Sequence, residues 1–213
     1  MKQNKRTGDA KMRIIGLTGP TGSGKSAVSA VLRDNGAVIV DADKIAHDII
    51  LKGEAAYNEL LEYFGEEILN NEKEIDRKKL GQIVFSQGGE KLDFLNKCTH
   101  KHIFDKMKAE IETAEKSGFE ITVLDAPLLI EGKFITLCKE VWVVFADDES
   151  RAERIMKRDL ITYQQALDRM SKQKGYDVYN KYADIIIDNS TGLVNLKRQV
   201  ENILNKTGDK DAI

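Results

Sequence analysis

Cysteine is scarce in this chain, and so is any excess of basic charge. Only Cys98 and Cys138 occur among 213 residues, forty positions apart and without a CxxC pair. That excludes a disulfide framework. A chain of this length buries roughly 70% of its unfolded surface and needs no such staple. Both cysteines are read as reduced, partly buried thiols. No apolar run is long enough to cross a bilayer and no leader-type segment opens the chain, so a cytoplasmic protein without a membrane partner is expected. The net charge is −2 and the pI is near 6.0. That removes the global basic footprint of a nucleic-acid binder, and no nucleic-acid partner is expected. No internal repeat or low-complexity tract is visible.

What remains is an ordinary globular composition, 41% hydrophobic and 32% charged, sized for one domain or one core with insertions. Residues 1–12, MKQNKRTGDAKM, are polar and read as a disordered tail. Five short β-branched runs follow: RIIGLT (13–18), AVIV (37–40), EITVLD (120–125), EVWVVF (140–145) and DIIID (184–188). Most lack polar alternation, as strands buried on both faces of a parallel sheet do. Helical stretches such as SGKSAVSAVLRDN and NLKRQVENILNK alternate with them, which predicts βαβ units and an α/β core. About 80 residues separate the second run from the third, far more than a crossover needs. They read as helical throughout, so 45–118 is expected to be a helical insertion. A second helical excursion, 149–181, holds eight Lys or Arg against four acids within 151–181, a local +4. Two helical covers around one site suit group transfer, where water must be excluded.

Gly19–Ser26, GPTGSGKS, matches G-x-x-x-x-G-K-[ST] in full, between a strand pattern and a helix pattern. Glycines let backbone N–H groups point inward, and the helix N-terminus adds positive potential, so the run is built for phosphates. ATP is expected against Gly22, Ser23, Gly24, Lys25, Ser26 and Ala27. Lys25 would bridge the β- and γ-phosphates and Ser26 would take Mg²⁺. Asp125, ending the third strand, is the candidate acid for the same Mg²⁺. Guanine-reading N-K-x-D is missing: NKCT, NKYA and NKTG do not fit, and DAPL replaces D-x-x-G. ATP transfer is therefore favoured over a guanine switch.

VIVDADKIAHDII puts Asp41 and Asp43 where the second strand passes into a helix. Alternate residues of extended chain point the same way, so both carboxylates can face the strand C-termini where α/β ligands bind. One can accept or orient a proton from an attacking hydroxyl, and one can cap the helix starting at Lys44. The spacing leaves open which does which.

The succession GLTG…GSGKS, VIVDAD, DRKKLGQIVF, LNKCTH, DAPLLIEGKF, RIMKRD, ADIIIDNS resembles the dephospho-coenzyme A kinase family from about residue 13 to 204. DAD after the second strand combined with PLLIE after the third is more specific than the phosphate loop alone. The resemblance implies a P-loop kinase-like three-layer α/β/α fold with a five-stranded parallel sheet. Its core would be 13–44, 119–148 and 182–207, with a helical acceptor (coenzyme A) subdomain at 45–118 and a lid at 149–181. It implies ATP- and Mg²⁺-dependent phosphorylation of the ribose 3′-hydroxyl of dephospho-coenzyme A, giving coenzyme A and ADP, the last step of coenzyme A synthesis. A monomer or weak homo-oligomer is expected.

Residue by residue, Asp43 matches the family's base toward that hydroxyl, and Thr18 a threonine near the acceptor. Asp125, Pro127, Leu128, Leu129 and Glu131 match its D-x-P-L-L-x-E segment. Arg77, with Leu80 and Phe85, matches the acceptor-binding R-x-x-L motif. Arg154 and Arg158 match lid residues that approach ATP phosphates, with Arg158 placed among the catalytic groups beside Asp43 and Lys25. Asn189 matches the adenine-side loop. Arg151, Lys172 and Lys181 read as solvated charges. Pro20 stands where the family has a second glycine, and Lys101 where it commonly has proline after the acceptor-site histidine, here His100. His100 and His102 are wrongly spaced for a shared helical face, so the nucleotide's Mg²⁺ is the only metal expected. The final helix is expected to be short. Two other readings compete: a related nucleotide or nucleoside kinase, and a nucleotide-binding module without chemistry.

Overall fold

A computed structural model describes residues 12–87 and 89–208. The five apolar runs become strands β1 (Arg13–Thr18), β2 (Val38–Asp41), β3 (Ile121–Asp125), β4 (Glu140–Phe145) and β5 (Ile185–Asp188). They form one parallel sheet in the order β2-β3-β1-β4-β5, with helices on both sides. Both the five-stranded sheet and the three-layer expectation therefore hold.

The central strand β1 is flanked by β3 and β4, with Leu17 in register with Asp125 on one side and Trp142 on the other. Whatever follows β1 thus starts beside the last residue of β3. Strand periodicity sorts the two faces. Ile15, Leu17, Val123, Trp142, Val144 and Ile187 are fully buried and share one core with helix α1 (Lys25–Asp34) and helix α9 (Leu193–Gly208). Each such side chain contributes roughly 1.5–3 kcal/mol by leaving water. On the opposite face Gly16 lies against Leu129 and Cys138, so closely that a Cβ there would stand 2.6 Å from Cys138 Sγ.

The chain divides into two compact units, one comprising residues up to Val40 and from Thr113 onward, the other Asp41–Glu112. The first unit contains the sheet apart from Asp41 at the end of β2, α1 and α9, and the helices after β4: α6 (Asp148–Asp159), α7 (Tyr163–Ser171) and α8 (Tyr176–Asn180). Helix α6 is capped by Asp147, whose carboxylate accepts from Ser150 N–H. Those bonds to Ser150 hold the Asp147 carboxyl below its ordinary range. A Thr162–Gln165 capping box starts α7. Ala152, Ile155 and Ala166 form a small core between α6 and α7, so the basic segment packs as a hairpin.

The second unit holds α2 (Ala42–Asp48), α3 (Ala55–Phe64), α4 (Arg77–Gln87) and the start of the 27-residue α5 (Glu90–Lys116). It is not helical throughout, contrary to the sequence reading. Gly65, at φ 77°, ends α3, and a short 3₁₀ turn leads to an isolated antiparallel bridge between Leu69 and Ile75. Asn70 closes that loop by accepting from the N–H groups of Glu72 and Glu74, a local bond that competes with helix.

Two further expectations change. Met12, assigned to the tail, is buried, with Thr122 Oγ1 3.2 Å from its sulfur; residues 1–11 lie outside the described residues. The final helix, α9, is 16 residues long rather than short. Among the described residues, no helix is long and apolar enough to cross a membrane.

Candidate active site

The Gly-rich run forms the turn from β1 into α1. Gly22 (φ 78°) and Gly24 (φ 90°) adopt the left-handed backbone that glycine tolerates. Both are also packed from outside: a Cβ on Gly22 would lie 2.7 Å from the Arg151 carbonyl, and one on Gly24 2.1 Å from Asn189 Nδ2. Lys25 and Ser26 open α1, so their N–H groups have no acceptor within the helix and carry its positive end. Ala27 N–H bonds Gly24 O, and Pro20 supplies the carbonyl that accepts from Ser23 N–H. Pro20 therefore leaves the turn intact. Ser26 is exposed, whereas Thr18 and Ser23 are buried, and neither hydroxyl has a hydrogen-bond partner among the described residues. A loop with unpaired donors and orphaned hydroxyls suits an oxygen-rich ligand.

At the end of β3, Asp125 meets the loop lysine: Lys25 Nζ lies 2.9 Å from Asp125 Oδ1. Its other oxygen accepts from Ser29 Oγ at 2.5 Å. Both charges are largely shielded from solvent, with side-chain exposures of 17% and 15%. Ser29, one turn after Lys25 on α1, was not singled out by sequence, and only its position below the motif's lysine hinted at it. Beyond Asp125, Pro127 is half-buried, Leu128 exposed and Leu129 fully buried. Glu131 is paired with Lys174 at 2.8 Å, which raises the lysine's pKa.

The arginines of α6 grip the backbone of the loop. Arg151 is buried, not solvated as the sequence reading held: its Nε donates to Thr21 O at 3.0 Å and its Nη1 to Asp148. Arg154 Nη1 donates to the carbonyls of Gly22 and Ser23 and its Nη2 to that of Asn189. Asn189, 5% exposed, donates from Nδ2 to Ser23 O at 2.9 Å. Arg158 forms a two-pronged pair with Asp159 and reaches Thr21 Oγ1 at 3.5 Å. That pair lowers the Asp159 carboxyl and raises the guanidinium. Gln173 Oε1 accepts from Thr21 N–H at 2.8 Å. Gln173 escaped the sequence reading because nothing in an uncharged residue of a basic segment marks it.

In the helical unit Asp41 is the N-cap of α2, its Oδ1 accepting from Asp43 N–H at 2.9 Å and Lys44 N–H at 3.0 Å. The helix therefore starts at Ala42, not Lys44. The exposed Asp43 lies in its first turn. Arg77, opening α4, donates to Ala46 O at 3.3 Å. His100 is half-buried on α5.

A family model described as dephospho-CoA kinase matches residues 13–195. A dephospho-CoA kinase of Carboxydothermus hydrogenoformans is 41% identical over 198 residues, 93% of this chain and 96% of that protein. Among solved structures, a dephospho-CoA kinase from Campylobacter jejuni superposes with a TM-score of 0.69 at 27% identity, covering 94% of this chain and 100% of the other. The crystal structure of TT1252 from Thermus thermophilus gives a TM-score of 0.75 at 29% identity, covering 92% and 97%.

Proposed function

The chain belongs to the dephospho-CoA kinase family, and we infer from that membership that it transfers a phosphoryl group from ATP to the ribose 3′-hydroxyl of dephospho-coenzyme A. The products are coenzyme A and ADP, and the reaction is the last step of coenzyme A synthesis. The single observation that carries the chemistry is the Lys25–Asp125 pair at the mouth of the Gly-rich turn, 2.9 Å apart. It puts a phosphate-seeking ammonium, at the start of α1, beside a metal-seeking carboxylate at the C-terminal end of β3.

In the proposed mechanism the N–H groups of Lys25 and Ser26 at the α1 N-terminus, with the glycine backbone before them, receive the ATP phosphates. Lys25 leaves Asp125 to contact the β- and γ-phosphates, a like-for-like exchange of one anionic partner for another. The hydroxyl of Ser26 and the carboxylate of Asp125 are hard oxygen donors of the kind Mg²⁺ takes, and they would hold it with the nucleotide. Mg²⁺ would neutralise charge on the phosphate oxygens. Ser29, bonded to Asp125, keeps that carboxylate oriented when Lys25 departs.

Asp43 takes or orients the proton of the acceptor hydroxyl. The division of labour at DAD supports this reading, since Asp41 already caps α2. Arg158 contributes a charge-stabilising guanidinium once it releases Asp159. Arginines in that role are worth roughly 10³–10⁵ in rate. Thr18, Arg77, His100, Pro127 and Leu128 are assigned to the acceptor on the family resemblance. The free thiols of Cys98 and Cys138 agree with a reducing cytoplasmic setting.

The direct test is the purified protein with Mg·ATP and dephospho-coenzyme A, with AMP, dTMP and uridine as alternative acceptors. Formation of ADP and coenzyme A is expected only with dephospho-coenzyme A. Product at background level with that acceptor overturns the assignment.

A further inference from the structure

Helices α3 and α5 pack antiparallel in the helical unit. Tyr63 stacks on Phe94, ring centroids 3.7 Å apart and planes 7° from parallel. One turn earlier on α3, Glu59 faces Cys98 and His102, one and two turns later on α5. The four-residue spacing puts Cys98 and His102 on one helical face. Cys98 Sγ donates to Glu59 Oε2 at 3.5 Å, and His102 Nε2 lies 2.9 Å from Glu59 Oε1. The thiol sulfur, imidazole nitrogen and carboxylate oxygen all lie within 4.8 Å of one another. Ligands around a tetrahedral ion with bonds of about 2.0–2.3 Å stand at separations of this order.

We propose that Glu59, Cys98 and His102 bind a zinc-class divalent cation that clasps α3 to α5. The site is independent of the phosphoryl-transfer reading and of the Mg²⁺ expected with ATP. A sulfur and an imidazole nitrogen disfavour Mg²⁺ and Ca²⁺, which take oxygen ligands, and select Zn²⁺. The cation enters with loss of the Cys98 proton to solvent, leaving a thiolate, a neutral imidazole and a carboxylate around it. Water completes the fourth position on the side where Glu59 is 41% exposed. Lys101 Nζ lies 3.4 Å from Glu59 Oε1, and its 61% exposure lets it swing into water as the metal takes its place. In sequence only the His100–His102 pair suggests a metal, and Cys98 reads as a reduced, partly buried thiol. The missing partner, Glu59, lies about forty positions away on another helix.

The test uses the full chain, stripped with a chelator and free of nucleotide, titrated with Co²⁺ and followed by absorption. One Co²⁺ per chain should bind with a thiolate-to-cobalt charge-transfer band in the near ultraviolet, and Zn²⁺ should displace it. Cys138→Ser should keep the band and Cys98→Ser should lose it. Glu59→Gln and His102→Gln should each weaken Co²⁺ and Zn²⁺ binding at least about tenfold, the smaller end of what even outer-sphere changes cost. Zn²⁺ should also raise the melting temperature of the parent chain but not of Cys98→Ser. If Cys98→Ser proves unfolded by circular dichroism, the two Gln variants decide. Absence of the charge-transfer band, its persistence in folded Cys98→Ser, or unchanged affinity in both Gln variants overturns the site.

Discussion

Arg154 and Asn189 converge on one oxygen, the carbonyl of Ser23, at 3.2 and 2.9 Å, while Arg154 also donates to the Asn189 carbonyl at 2.6 Å. The guanidinium and the amide thus lock the outer side of the phosphate loop to the segment after β5. Both residues resemble nucleotide contacts in sequence, yet here they hold the loop's backbone.

A loop held this way predicts the kinetic signature of Arg154→Ala. Each charged hydrogen bond removed costs about 1.5–3 kcal/mol, so ATP affinity should fall at least about tenfold as the loop loosens. A positioning role raises the KM for ATP, whereas a transition-state contact lowers kcat at unchanged KM. Arg154→Lys should not restore function, because one ammonium cannot reach three carbonyls from a fixed planar fork. Steady-state kinetics with ATP varied would distinguish these outcomes. A pure kcat loss would overturn the positioning role.

The two aspartates of DAD should separate cleanly. Asp41→Ala removes the α2 cap and should cost on the order of 1 kcal/mol of stability, measured by urea denaturation. Asp43→Asn should leave the melting curve nearly unchanged and lower kcat by about 10²–10⁴, with ATP binding retained. Normal turnover in Asp43→Asn would refute its assignment as base.

Gly16→Ala should destabilise the sheet unit. The added methyl would stand 2.6 Å from Cys138 Sγ and 2.7 Å from Leu129 Cδ2, and overpacking of this kind costs about 1–3 kcal/mol. Cys138→Ala in the same chain removes the nearer clash and should recover part of the loss. Additive losses in the double variant would show that the sulfur is not the obstacle.

Burial pushes the Cys138 thiol up to about 12. The thiol form therefore persists across the range in which an exposed cysteine, with a pKa near 8.5, ionises. In a Cys98→Ser background, iodoacetamide at pH 9 should modify native Cys138 slowly and the urea-unfolded chain rapidly. By linkage, the folded protein binds this proton more tightly than the unfolded chain does. The contribution is full below the unfolded pKa and is lost as pH rises from there toward about 12. Equal native and unfolded alkylation rates at pH 9 would contradict that burial.

The order of elements was legible because each of its signals is local. β-branched runs of four to six residues become β1–β5, and GPTGSGKS names its own turn, since only glycine adopts φ near +80° to +90° at Gly22 and Gly24. The acid ending β3 was legible because the apolar run ITVL stops at Asp125. Where sequence left two roles open, as for Asp41 and Asp43, the cap had to be seen, because either carboxylate fits the same spacing.

Everything that depends on partners distant in the chain was decided only by tertiary structure. Arg151, Arg154 and Asn189 grip carbonyls more than a hundred residues away, and backbone carbonyls carry no mark in a sequence. Gln173 on the Thr21 amide and Glu59 beside Cys98 and His102 are of the same kind. The order of residues determined which turns and strands could form and which charges a phosphate would meet. Folding decided which arginines stay available to a ligand, since a guanidinium already bonded to three carbonyls has few donors left.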